Sequence, residues 1–197
     1  MDFVSWHSYQ LNPNKTLWEA QTLKGLRNFQ RYFSDKELII SEWGSVPEVS
    51  PLHDSYFDAS HTVWAIDKLT NSVDKIFTFE LVDGPNPEGK KFWGRWGLLT
   101  NQSFGLTPKP RYFPYLFLGK LLNLEIKPQE VSPNLTAIGS TDGKENYTIL
   151  LARSEGKSGI VPAELTLSDT LPGIYNINTY ILDSNHNPLS PQNETQI

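Results

Sequence analysis

Glu37-Leu38-Ile39-Ile40-Ser41-Glu42-Trp43-Gly44 is the stretch on which the fold turns. Leu38, Ile39 and Ile40 run together without polar alternation, the pattern of a parallel strand covered on both faces. The run then closes on a carboxylate, an indole and a glycine. Upstream, Leu23, Leu26, Phe29 and Phe33 recur at helical spacing and predict a helix over Leu17 to Phe33. A polar Asn12-Pro13-Asn14 turn precedes it, and before that Phe3-Val4-Ser5-Trp6-His7-Ser8-Tyr9 reads as a strand. Downstream, Phe57, Val63, Trp64, Ile66 and Leu69 mark the inner side of a second helix from Ser55 to Thr70, with Asp54 as its expected N-cap. Lys75-Ile76-Phe77-Thr78-Phe79 is a third strand, and beyond a Gly/Pro-rich loop Tyr112 to Leu122 reads as a third helix. Strand and helix in strict alternation predict a parallel α/β sheet.

The remainder of the chain has a different texture. All six Trp lie in the first half, and beyond Phe117 the aromatics are Tyr147, Tyr175 and Tyr180. Thr136 to Ser140, Tyr147 to Ala152, Glu164 to Leu167 and Tyr175 to Leu182 read as short strands between turns such as Asp142-Gly143 and Pro172-Gly173. The expected organisation is an α/β unit over 1–125 and an all-β accessory unit over 126–197. The second is shorter than the ~100 residues of a common β-sandwich.

The chain has 197 residues, 17 basic and 22 acidic side chains, and a formal net charge of −5. That length suits one domain or two small ones. Mild acidity without a Lys/Arg-rich run predicts no nucleic-acid partner, and no apolar stretch approaches the ~20 residues of a membrane helix. With no cysteine there is neither a disulfide, a thiolate metal site nor a Cys nucleophile. No HExxH, paired-His, glycine-rich phosphate loop or GxSxG pattern occurs, so no cofactor or metal is expected.

In a parallel barrel the ends of the strands line the site, which singles out His7 and Tyr9, Glu42 with Trp43, and Phe79 with Glu80. His7 and Tyr9, two apart, project to one face of their strand. They suit a carboxylate or sugar hydroxyls, or else a satisfied core. Glu42 suits a ligand, or else a surface strand terminus. Glu80, Asp83 and Glu88 share a loop with Trp93 and Trp96, and acids beside indoles are what sugar recognition uses. A hydrophobic seam is the alternative role for those rings.

Taken in order and spacing, Asp2 to Tyr9, Ile39-Ile40-Ser41-Glu42-Trp43, Pro51-Leu52-His53-Asp54-Ser55, Trp96-Gly97-Leu98-Leu99 and Pro108-Lys109-Pro110-Arg111-Tyr112-Phe113 resemble the β-xylosidase and α-L-iduronidase family of retaining glycoside hydrolases (family 39, clan A). The resemblance covers about Asp2 to Leu122. It implies strands six to eight of a (β/α)8 barrel followed by a β-sandwich-like region. It also implies Glu42 as the catalytic nucleophile, and His7 and Tyr9 as residues touching substrate and nucleophile. Retaining hydrolysis needs a second carboxyl about 5–5.5 Å away as acid/base. In the clan this is the Glu of an Asn-Glu pair ending strand four, whereas the sole Asn-Glu here, Asn193-Glu194, lies in the tail. Where the family usually has a Trp sugar platform on strand eight, this chain has Phe79 and Glu80.

The expected partners are therefore an oligosaccharide or glycoside, with Trp43, Phe79, Glu80, Trp93 and Trp96 contributing to its binding. A missing N-terminal barrel half or a homo-oligomer is expected to close the barrel, since three βα units cannot. Two alternatives stand beside this reading: a non-catalytic carbohydrate-binding or structural module, and a self-sufficient enzyme with Glu80 as its acid.

Overall fold

The computed structural model describes residues 2–31, 34–129, 131–153, 163–168, 170 and 172–196. Its first half alternates as expected: β1 (Phe3–Tyr9), α1 (Pro13–Phe29), β2 (Glu37–Gly44), a 3-10 turn (Pro51–Asp54), α2 (Tyr56–Leu69), β3 (Lys75–Thr78) and α3 (Tyr112–Leu118). The strands form a parallel sheet in the order β1-β2-β3. Trp6 pairs with Ile40 and Ile40 with Ile76. The ladder becomes irregular between Trp6 and His7, and again between Ile40 and Trp43. The breaks in register thus fall where the strands deliver their polar ends.

Helices cover one face of this sheet. Ile40 and Trp43 pack with Ala20 of α1 and with Ala65 and Leu69 of α2, and Trp6, Leu17, Ile76 and Tyr115 close around them. The other face is open: Phe3, Ser5, His7, Ser41 and Phe77 are all exposed. Parallel sheets ordinarily bury both faces, so this surface is unusual for its class.

The first helix departs from expectation in start and facing. It begins at Pro13, where Asn12 caps it by accepting from the Asn14 amide at 3.0 Å. A proline at the first helical position costs nothing, because that N–H has no intrahelical partner. The buried side is Pro13, Thr16 and Ala20, while Trp18, Leu26 and Phe29 form an exposed apolar stripe. The apolar spacing of Leu26 and Phe29 is real, but it marks the outward face. Phe33 lies outside the described residues.

In α2, Val63 and Leu69 face inward as expected, while Trp64 and Ile66 are half-buried. Asp58, His61 and Thr62 are fully buried instead, because the helix packs over a charged cluster rather than a purely apolar seam. The cap of α2 is Ser55; Asp54 serves another partner. The third helix stops at Leu118, four residues before the expected end.

The second half holds two small antiparallel sheets. β4 (Leu124–Ile126), β5 (Leu135–Thr141) and β6 (Tyr147–Arg153) form one, and β7 (Asn176–Thr179) with β8 (Asn193–Gln196) the other. The expected junction at 125/126 falls inside β4, which pairs with β5. Glu164 to Leu167 is not a strand, and its Leu165 and Leu167 are exposed: an alternating pattern forms a strand only where a neighbour supplies hydrogen bonds. β5 and β6 pack against α2, joining the two halves. None of the three sheets closes into a barrel among the described residues.

Beneath β2 and α2 lies a buried ion pair. Arg111 Nε stands 3.7 Å from Asp58 Oδ2, with both side chains essentially inaccessible. Burial by itself would raise the Asp58 carboxyl, but Arg111, then His53 and Ser45, outweigh it and hold it down to about 2. An unfolded Asp titrates near ~3.9. The contribution of Asp58, about 2 kcal/mol, is therefore complete above pH ~4 and lost as pH falls toward 2. Urea titrations at pH 6, 4, 3 and 2 should show that loss. At neutral pH, Asp58→Asn should cost about 3–5 kcal/mol by stranding a buried guanidinium, and Asp58→Asn with Arg111→Met should recover part of it.

Candidate active site

The C-terminal ends of β1, β2 and β3 converge on one rim. His7 and Tyr9 share a face of β1 because they are two residues apart, while Ser8 between them turns back to α1 and donates to Glu19 at 2.7 Å. That bond and a 3.0 Å contact from Ser8 to Thr16 anchor the strand end on the helix. His7 pairs in register with Glu42. Its Nδ1 lies 2.6 Å from Glu42 Oε2, with the imidazole 62% and the carboxylate 22% exposed.

The Tyr9 hydroxyl meets the same carboxylate. Burial, and next the hydrogen bond to Glu42, push the Tyr9 phenol far above its ordinary range, so it remains a donor throughout the working pH range. Glu42 is thus held by two donors from β1 on the open side of the sheet. The Tyr9 ring rests on Gly44, where an added Cβ would come within 3.0 Å of it. A glycine at this position is what lets the ring approach the strand.

Trp43 does not face this rim. It is 1% exposed, stacked on His61 at 5.8 Å and covered by the Arg111 guanidinium at 4.9 Å. The alternation of the strand sends Glu42 to one side and its neighbour to the core, which corrects the expectation that Trp43 contributes to sugar binding.

The third strand end is built with its loop. The Phe79–Glu80 peptide is cis, and Glu80 hydrogen-bonds through its backbone to Trp96 and Leu98. The Glu80 carboxylate accepts from Arg95 Nε at 2.8 Å. Arg95 in turn lies over Trp93 at 5.4 Å and over Trp96 at 5.0 Å. Both indoles therefore already carry a cation on one face, as an Arg stacks favourably there. Trp96 also packs against Phe79 and His53, and its Nε1 donates to the Val46 carbonyl. Trp93 looks the other way as well, lining a shallow hollow of about 360 Å³ with Pro51, Asn86, Glu88 and Phe92. His7, Tyr9, Glu42 and Glu80 thus meet at one rim, while Trp93 borders the hollow beside it.

Lys109 holds this loop from beneath. Fully buried, its ammonium lies 2.6 Å from Asp54 and 3.1 Å from Asp83. Asp54 accepts from the Gly94 amide, and Asp83 from the Gly97 amide. Burial pushes the Asp83 carboxyl up, with Lys109 pulling against it. The two carboxylates so distribute one positive charge over the segment that carries Arg95 and Trp96. Nothing in the sequence around Pro108-Lys109-Pro110-Arg111 marked these cations as buried. Among the described residues no group of His, Cys, Asp and Glu is arranged to hold a metal ion.

Over part of their length, this fold is similar to that of GH39 enzymes of known structure. The chain superposes on a monomeric β-xylosidase from Caulobacter crescentus CB15 with a TM-score of 0.69 at 19% identity, covering 89% of this chain and 41% of that one. On the GH39 enzyme from Xanthomonas axonopodis pv. citri the values are 0.60 and 18%, covering 90% and 39%. On a glucosidase from Croceicoccus marinus they are 0.59 and 18%, covering 100% and 38%. The chain therefore spans about two fifths of the length of these structures. At these identities the likeness establishes the fold. No family model matches the sequence, and no curated protein matches it.

Lys109→Met should release the loop without unravelling the sheet. The Gly94 and Gly97 amides should then exchange hydrogen at least about tenfold faster, while Leu38 and Ile40 stay protected.

Proposed function

We propose that this chain is the nucleophile-bearing part of a retaining, β-xylosidase-like glycoside hydrolase. The observation that carries the reading is the Glu42 carboxylate, partly exposed at a parallel strand end and held by His7 and Tyr9. In this reading β1, β2 and β3 are strands six, seven and eight of a (β/α)8 barrel, and residues from 126 onward form the accessory β region. The open face of the sheet and the unpaired outer edges of β1 and β3 are surfaces that the rest of such a barrel would cover.

The chemistry follows from the geometry. Glu42 attacks the anomeric carbon, the glycosidic C–O bond breaks, and the leaving oxygen takes a proton from a general acid. Water, deprotonated by the same group, then displaces Glu42 and releases the sugar. His7 and Tyr9 hold the carboxylate in one orientation, so little is lost in positioning it during attack. Glu80 already serves Arg95 as an ion-pair acceptor, which suits a hydroxyl-binding role and leaves the proton donor to a segment outside these 197 residues. The substrate is an oligosaccharide or aryl glycoside.

Nitrophenyl glycosides test this directly, because their leaving group needs little help from an acid. Folded chain should turn over an aryl β-xyloside or β-glucoside slowly, and Glu42→Gln should reduce the rate by at least about a thousandfold. Turnover that survives Glu42→Gln contradicts the assignment.

The hollow beside Trp93 favours a second reading, a non-catalytic carbohydrate-binding module. Xylo-oligosaccharide affinity that persists in Glu42→Ala but is lost in Trp93→Ala would select it. Either reading leaves Phe3, Phe29 and Phe77 uncovered in the isolated chain. Self-association is therefore expected in sedimentation, and a monodisperse monomer of high melting temperature would count against the open-barrel account.

A further inference from the structure

Arg111 occupies a place that its ion pair with Asp58 alone does not explain. Its Nη2 donates to the Trp43 carbonyl at 3.1 Å and its Nη1 to the Phe79 carbonyl at 3.5 Å. These carbonyls belong to the residues that follow Glu42 and precede Glu80. The Phe79 amide donates to the same Trp43 oxygen at 3.5 Å. That contact and the Arg111–Phe79 one are both long for an N–H···O bond, so at this level the two strand ends share a weak direct contact, and the guanidinium, bonded more closely to Trp43, adds a second link between them. Tyr115 of α3 also bonds the guanidinium, and the Trp43 ring lies against it. Arg111 also lies beside Gly44, where a Cβ would stand in ordinary contact with Nη1 at 3.6 Å, and it interacts electrostatically with Tyr9. One buried side chain therefore touches the backbone beside both strand-end carboxylates, and lies next to the tyrosine that holds one of them.

We infer that Arg111 is a positioning residue of the strand-end site, bridging the Trp43 and Phe79 carbonyls so that the ends of β2 and β3 keep a fixed separation and Glu42 and Glu80 a fixed relative placement. This rests on the reading of Glu42 as the nucleophile for its catalytic consequence, but not for its structural one. A guanidinium suits the task because its planar fork presents several donors at set angles, whereas an ammonium is a point charge on a flexible stem. Asp58 neutralises the charge and leaves both Nη groups for the carbonyls. A misplacement of about 1 Å between catalytic groups is costly, and the β2–β3 ladder, broken between Ile40 and Trp43, resumes at this level with Trp43 opposite Thr78 and the long Phe79 amide contact.

The test is Arg111→Lys in the full chain, with Arg111→Met as a second variant. Lys keeps the charge opposite Asp58 and loses the fork. The Phe79 amide should exchange hydrogen at least tenfold faster in both variants, while Leu38, Ile40 and Ile76 amides change less than twofold in Arg111→Lys. Where aryl glycoside is turned over, kcat should fall at least tenfold in Arg111→Lys with KM within twofold. Unchanged exchange at Phe79, or an equal rise across all three strands, overturns the inference by showing a role in global stability only. A rise in KM alone overturns it too. The exchange measurement needs no activity. A chain without glycosidase activity still decides the inference, and failure of the proposed function shows separately, as identical behaviour of the native chain and Glu42→Gln.

Discussion

Two cations separated by a single proline, Lys109 and Arg111, are buried under the strand ends, and the rest of the first half is arranged around them. Lys109 gathers Asp54 and Asp83, which reach the 94–97 segment through backbone amides. Arg111 gathers Asp58 and the carbonyls of Trp43 and Phe79. Burying a charge costs several kcal/mol unless its partners are in place, so each cation is set together with its own carboxylates. What they give is definition more than stability. A short sheet with an irregular rim is held to one geometry by groups that tolerate no other.

That requirement explains why α2 is polar on its inner side. A helix packed over a parallel sheet usually offers an apolar stripe, but here Asp58, His61 and Thr62 face inward. His53 reaches the Glu48 carbonyl at 3.1 Å and lies 3.4 Å from Asp58, and His61 Nε2 donates to the Gln10 carbonyl at 2.7 Å. The loops after β1 and β2 are therefore fastened to the same helix. The loop after β3 is fastened through Lys109. All three carry or flank the residues of the rim, so its shape depends on a buried polar layer beneath it.

Much of this was legible in sequence and some was not. β1, β2 and β3 emerged from short apolar runs, and Glu42 from its position at the end of one. The start of α1 was also written in the chain, since Asn12-Pro13 is a cap followed by a proline at the first helical position, although it reads equally as a turn. The facing of α1 was not legible: its two apolar stripes are distinguished only by what packs on them. The burial of Lys109 and Arg111 was hidden for the same reason. Partners of the two lie 26 and 68 residues away, and charged residues next to prolines look like exposed loop. Trp93 and Trp96 were visible as rings, but not that Arg95 lies across both.

The fold, the rim and the buried layer bear on one proposal, that Glu42 is a carboxylate poised to bond covalently to a sugar. Incubating the folded chain with a 2-deoxy-2-fluoro-β-xylosyl fluoride, whose leaving group needs no proton donor, and mapping the adduct by peptide mass spectrometry tests it most directly. The account predicts one sugar per chain, attached to the peptide bearing Glu42 and absent in Glu42→Gln. An adduct on Glu80 or another carboxylate, or none on folded protein, would contradict it.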